Sequence, residues 1–226
     1  NIKAFMFTEN IGASKAFALA IYYAYLKGYD WIWIMDDDVY PLPQAFKTLL
    51  YHAEIHKGRP VILLPMWTRK QGLPPYGPAT VFGGMISRET IKLCGVPRPE
   101  FFMYMDDIEY ENRCRKLGVE IIPITTAIAI HPYGSAKKKT KKIGILTIRV
   151  PASEYYRSYL SRNKIYYWKI LGRPFKMIIE VYKVLLKILA YLMLREQQRA
   201  IALMYALLDA LSNRMGKAPK HIYELH

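Results

Sequence analysis

Residues 31–41 read WIWIMDDDVYP. Five large apolar side chains, Trp31 to Met35, run straight into Asp36, Asp37 and Asp38. A continuous apolar run lying between two helical segments reads as a buried central parallel strand. In open parallel sheets, ligands bind just beyond the carboxyl ends of the strands. Side chains alternate along an extended chain, so Asp36 and Asp38 are predicted to point together into that crevice, with Asp37 opposite. Two converging carboxylates repel one another unless a cation lies between them. A divalent metal held there can grip a phosphorylated ligand. A turn or helix cap is the alternative for any one aspartate; three in succession behind an apolar strand favour the ligand site.

The surrounding segments alternate between strand and helix. Lys3–Thr8 (KAFMFT) reads as a short strand, followed by the glycine-containing ENIGAS loop. Ala13–Lys27 carries Phe17, Ile21, Ala24 and Tyr25 at helical spacing and stops at Gly28. Pro43 opens a second helix running to about His56. PVILLPM, residues 60–66, is a further buried strand. Residues 67–80, rich in proline and glycine, read as a long surface loop, and TVFGGMIS as a strand whose Gly83–Gly84 pair allows close approach. A short helix ends near Gly95. DDIEYENRCRKLG is a helix with Tyr110, Cys114 and Leu117 on one face and Gly118 as its stop. VEIIPITTAIAIHP holds one or two strands ending at His131. This order predicts an α/β sandwich with a largely parallel sheet over residues 1–150. Residues 151–226 form a helical appendage, in which Lys176, Glu180, Lys183 and Lys187 line one side of an otherwise apolar helix at 175–194.

The length of 226 residues suits one domain with an appendage. A formal net charge of +15 points to an anionic partner: phosphates, nucleic acid or a lipid surface. The positive charge is divided between a loop and the C-terminal helices, with no nucleic-acid-binding motif, so nucleic acid is not expected as the partner. Cys94 and Cys114 lack metal-type spacing and read as small core residues in a reducing compartment. There is no apolar run of about 18 uncharged residues, which argues against a spanning helix.

A second acidic group, Asp106, Asp107 and Glu109, opens the helix of residues 106–118. The helix dipole favours an ionised Asp107 there. It reads either as a plain N-cap or as a base able to take a proton from a hydroxyl. His131 follows a strand-like run. If that strand ends on the same side as Trp31–Met35, the imidazole reaches the same metal, and a nitrogen ligand beside carboxylates leans toward Mn²⁺ over Mg²⁺.

The pieces ENIGAS, GYDWIWIMDDDVYP, FGGMIS, FFMYMDDIEYENRCRKLG and IHP, together with YYRSYLSRN and DALSNRMGK, occur in an order that resembles glycosyltransferase family 2, which has the GT-A fold, a Rossmann-like nucleotide-diphospho-sugar transferase architecture. Within it the chain looks like the rhamnosyltransferase and galactofuranosyltransferase branch. The resemblance implies that Asp36 and Asp38 grip the donor diphosphate through Mn²⁺ or Mg²⁺ and that His131 completes the metal site. It implies Asp107 as the catalytic base, with Asp106 and Glu109 beside the acceptor. It further implies that Gly83 and Gly84 line the acceptor pocket, and that Asn10, Gly12 and Asp37 lie by the donor. The family ordinarily opens with a strand–helix–strand unit, and this chain begins just before what looks like the third strand; that unit is expected to be absent here.

The implied reaction is inverting transfer of a sugar from a nucleotide-sugar donor to a glycan or lipid-linked acceptor. The basic helix at 175–194 suits docking on an anionic, cytoplasmic membrane surface, with simple packing on the catalytic domain as the alternative. Lys137–Lys139 with Lys141 and Lys142 read as a solvated loop, or as a lid over the diphosphate. The rival classes are a metal-dependent nuclease or phosphotransferase and a non-catalytic transferase-like scaffold.

Overall fold

The computed structural model describes residues 2–132, 139–143, 146–150 and 154–218. The chain divides into two compact units. One comprises Ala16–Arg98 and Asp106–Gly134; the other comprises Asn1–Lys15, Pro99–Met105 and Ser135–His226.

The first unit is a mixed α/β structure. Its elements run α1 (Ala13–Leu26, whose first turn falls in the other unit), β1 (Trp31–Trp33), β2 (Tyr40–Pro41), α2 (Pro43–Ile55), β3 (Val61–Thr68), β4 (Gly77–Pro78), β5 (Met85–Ser87), α3 (Arg88–Cys94), α4 (Asp106–Lys116) and β6 (Glu120–Ile130). The boundaries follow local chemistry. Gly28 at φ 84° and Gly118 at φ 86° sit just past α1 and α4, where a left-handed residue closes a helix. Pro43 opens α2. The Ser87 hydroxyl accepts from the Thr90 N–H at 3.2 Å and caps α3.

The sheet order is β1-β5-β3-β6-β2, with β4 on β3. Among the described strands only β3 and β6 are parallel; every other pairing is antiparallel. A largely parallel sheet was expected, with Trp31–Met35 as its central strand; the strand covers only Trp31–Trp33, ends the sheet path and is half-buried. The reason lies between β3 and β5. No α-helix separates them, only β4 and a single 3-10 turn at Val81–Gly83, so the chain returns without a helical crossover and pairs antiparallel. The β3–β6 connection contains α3 and α4, and that pair is parallel.

Helices cover both faces. Along β3, Ile62 and Leu64 join Ile21, Ile91, Tyr110 and Cys114 on one side. Val61 and Leu63 join Leu49, Ala53 and Met85 on the other. β1 obeys the same alternation: Ile32 packs with the first cluster, Trp31 and Trp33 with the second. Cys94 and Cys114 are buried free thiols, hydrogen-bonded to each other.

The second unit contains the hairpin β7 (Lys139–Ile143) and β8 (Leu146–Val150) and the helices α5 (Glu154–Ile170), α6 (Pro174–Met193) and α7 (Gln197–Leu211). The lysine run predicted as a loop is therefore partly strand; Lys137 and Lys138 lie outside the described residues. Lys3–Thr8, predicted as a strand, forms none, and its residues are exposed. Ile165, Val184, Ile188, Tyr191, Ala200, Leu203 and Ala210 form the core of the three helices. Small residues on α7 let its neighbours approach closely.

α6 has two apolar sides. Val184, Ile188 and Tyr191 are buried, while Phe175, Ile178, Tyr182, Leu185, Leu189 and Met193 are exposed. At about 100° per residue, the exposed set lies on the opposite side of the helix from the buried set. Lys176, Lys183 and Lys187 fall between them. No described helix is long and apolar enough to cross a membrane.

Candidate metal and active site

Asp36, Asp38 and His131 each offer a ligand atom, and these atoms lie within 4.8 Å of one another. Three pieces of backbone bring them together. The Ile34 N–H donates to Gly84 O at 3.0 Å, extending the hold of β5 on the chain beyond β1. Asp37 and Asp38 then form a turn in which the Val39 N–H reaches back to Asp36 O at 3.3 Å. Finally β2 pairs with the end of β6, Tyr40 opposite Ile130. Asp36 and Asp38 thus converge by a turn rather than by strand alternation, and Asp37 is left exposed.

β6 delivers the histidine. Its pairing with β3 shifts register between Pro65 and Met66, so that residues 125–127 bulge and Ile128–Ile130 realign with Met66–Thr68. A bulge re-aims the end of a strand, as is common beside functional sites. The His131 N–H donates to Thr68 O at 2.9 Å. The ring packs on Trp67 with centroids 4.4 Å apart. Nε2 stands 3.5 Å from Asp38 Oδ1, and Nδ1 stands 3.1 Å from the Tyr76 hydroxyl. With the ring proton on Nδ1, donated to Tyr76, the Nε2 lone pair faces the carboxylates.

The electrostatics suit a cation. Burial raises the Asp36 pKa above the usual carboxylate range, and the charge of Asp38 raises it further; His131 offsets part of this. Two carboxylates and one imidazole are a chemically sound donor set for Mn²⁺ or Mg²⁺.

Asp106 and Asp107 form the first turn of α4. Burial pushes Asp107 up to about 6, with the Asp106 charge adding to it; the Ile108 N–H, which donates to Asp107 Oδ1 at 2.8 Å, pulls the other way. The Asp106 charge also raises Asp36, so one carboxylate influences both acidic groups. A half-buried carboxyl titrating near 6 is poised for proton transfer around neutrality.

No protein-family model matches the chain. Curated relatives do. Galactofuranosyltransferase GlfT1 of Mycolicibacterium smegmatis is 28% identical over 198 residues, covering 74% of this chain and 64% of that protein. GlfT1 of Mycobacterium tuberculosis is 28% identical over 194 residues, covering 74% of this chain and 62% of that protein. The chain is similar to galactofuranosyltransferases. It spans a little under two thirds of the length of these relatives.

The other sequence-predicted residues fall differently. Glu109 is buried and engaged by Arg113, with Nε and Nη2 at 2.9 and 3.0 Å, and by Arg98 at 3.3 Å. That is a structural ion-pair network at the base of α4. Gly83 and Gly84 are buried, and a Cβ on either would meet Trp67, Ala79 or Leu64 within 2.8 Å; close packing on β3 accounts for both glycines. Asn10 and Gly12 lie in the other unit. The Asn10 Oδ1 accepts from the Gly12 N–H at 2.9 Å, an Asx turn, and Gly12 at φ 81° backs onto Phe102. Tyr76 and Trp67, which orient His131, were not anticipated. They lie within residues 67–80, the segment read as a loop, which instead folds back as a hairpin with Trp67 opposite Gly77.

Proposed function

We propose that this chain is a metal-dependent inverting glycosyltransferase. It moves a sugar of the galactofuranose or rhamnose type from a nucleoside-diphosphate donor to a glycan or lipid-linked acceptor. The single observation that carries the proposal is the Asp36–Asp38–His131 cluster. Similarity to galactofuranosyltransferases over 74% of the chain supports it and favours galactofuranose. The GT-A class is assigned on the same grounds, with an acidic tip just past β1 and helices on both faces of a mixed sheet.

Asp36, Asp38 and His131 hold the metal in this reading. When bound, the metal supplies Lewis acidity toward the departing nucleoside diphosphate. Tyr76 holds the His131 ring through Nδ1, so that Nε2 faces Asp38. Asp107 takes the proton of the acceptor hydroxyl as that oxygen attacks the anomeric carbon, and such general-base help is worth about 10²–10⁴-fold. Burial, with the charge of Asp106 adding to it, keeps the Asp107 pKa high, so the base is strong enough for the task. The exposed apolar side of α6 with its flanking lysines rests on the anionic cytoplasmic leaflet.

The test is incubation with Mn²⁺, a lipid-linked glycan acceptor and nucleoside-diphosphate donors of galactofuranose and rhamnose. Product with inverted anomeric configuration is expected. No consumption of either donor, together with metal-dependent plasmid cleavage, would replace the reading by a nuclease.

A further inference from the structure

The chain enters α4 through an unusual backbone. Phe102, Tyr104 and Met105 have φ of 66°, 65° and 69°, a left-handed conformation that side chains with a Cβ rarely adopt. Such residues persist only where their surroundings over-determine them, and they cluster at functional sites. Met105 is the last residue of this segment, and Asp106 and Asp107 follow it directly.

The surroundings here are two consecutive residues of α5, both fully buried. Asn163 Nδ2 donates to Phe101 O at 2.8 Å, Met103 O at 2.7 Å and Tyr104 O at 2.9 Å. One amide group thus gathers three carbonyls of a five-residue segment. Arg162 Nη2 donates to Phe101 O at 3.2 Å, and Nη1 to Gly216 O at 2.8 Å. Arg162 Nε donates to Asn163 Oδ1 at 3.0 Å, which fixes the amide so that its NH₂ faces the carbonyls. The guanidinium also lies 4.8 Å from the Tyr159 ring centroid. Gly216 in turn donates its N–H to Glu100 O at 2.7 Å, tying the chain after α7 to the same segment.

We infer that Arg162 and Asn163 are positioning residues for the proposed base: they clamp the left-handed segment 101–105 and thereby fix the backbone from which α4, and with it Asp107, starts. The inference rests on the transferase reading of Asp107. Neither side chain touches the reacting atoms; each acts through backbone carbonyls. The amide serves the three carbonyls with two donor hydrogens, one of them shared, and buries no charge in doing so. A carboxylate in its place would meet those carbonyls with oxygens alone.

Two variants carry the test. Asn163→Asp keeps the side-chain outline and removes the donors; Arg162→Lys keeps the charge and removes the fork. Turnover, donor KM, Mn²⁺ binding and amide exchange are measured on the full chain. A fall in kcat of about 10–100-fold is expected, with donor KM and Mn²⁺ affinity within about twofold, since a small misplacement of a catalytic group lowers kcat alone. Exchange at the Tyr110–Asn112 amides is expected to quicken about tenfold while Ile62–Leu64 stays protected, because the opening is local. Wild-type kcat in a folded variant overturns the inference. So does failure of both variants to fold, which assigns the pair to stability alone. If the unaltered chain turns over no donor, the transferase reading fails, and the exchange comparison alone then decides whether the clamp orders α4.

Discussion

His131 presents Nε2 to Asp38 Oδ1 at 3.5 Å, a separation too long for a good hydrogen bond and suited to two ligands flanking an ion. The residues come from β6 and from the turn after β1, and Asp36 closes the cluster. The metal reading makes each of the three accountable to measurement.

Asp38→Ala, Asp36→Asn and His131→Ala are each expected to weaken Mn²⁺ binding by at least about tenfold, since each removes one of three protein ligands. Isothermal titration with Mn²⁺ checks this. The pH dependence has a definite sign. Asp36 holds its proton to higher pH than an ordinary carboxyl, and the metal must displace that proton. Affinity should rise with pH across the weakly acidic range and flatten above it. An affinity independent of pH there would contradict the assignment.

Asp107→Asn should leave Mn²⁺ and donor binding intact and lower kcat by about 10²–10⁴-fold. In the unaltered chain kcat should climb through an apparent pKa of about 6, as the base ionises. The same group has an opposite effect on stability. Its pKa is raised in the folded state, so folding loses free energy as pH rises from the ordinary carboxylate range through about 6. Removing the ionisable group should therefore raise the denaturation midpoint at pH 7 while turnover falls. A variant that loses both activity and stability would point to a structural role instead.

Tyr76→Phe removes the partner of His131 Nδ1 without removing a ligand. Loss of such an outer hydrogen bond commonly costs 10–100-fold in affinity, and about tenfold weaker Mn²⁺ binding is expected here because the hydroxyl is exposed. Equal affinity in the variant would show that Trp67 alone holds the ring.

Gly12→Ala sets a methyl group against Phe102 at a left-handed position. Strain and overpacking together should destabilise the chain by about 2–4 kcal/mol. Urea denaturation with an unchanged slope and a lowered midpoint is the expected outcome. An unshifted midpoint would mean that the 10–14 turn rearranges freely.

Replacing Lys176, Lys183 and Lys187 with Gln should weaken binding to vesicles containing anionic lipid by about 10²-fold, at roughly 1 kcal/mol per lysine. Neutral vesicles should show little change. Leu185→Asp on the exposed apolar side should weaken both. Sedimentation of vesicles with bound chain reads either result, and binding indifferent to all of these changes would remove the membrane from the proposal.

Much of this molecule could be read locally. Helix ends are announced by Gly28, Pro43, Ser87 and Gly118, because capping and proline chemistry act within a few residues. The grouping of Asp36, Asp38 and His131 was legible for a similar reason: each stands at the end of an apolar run that ends at the same side of the sheet. Strand direction was not legible. Alternating apolar patterns mark which face of β3 or β5 is buried, but they are the same for a parallel and an antiparallel neighbour. For β3 and β5 the direction follows from the absence of an α-helix between Thr68 and Met85, whereas β1–β5 and β2–β6 are antiparallel although α-helices lie between them in sequence. The Tyr76–His131 pair and the hold of Asn163 on three carbonyls are likewise contacts between distant parts of the chain. Side-chain chemistry was therefore written along the chain, while the directions in which it points were decided only when strands and helices far apart in sequence satisfied one another's backbone hydrogen bonds.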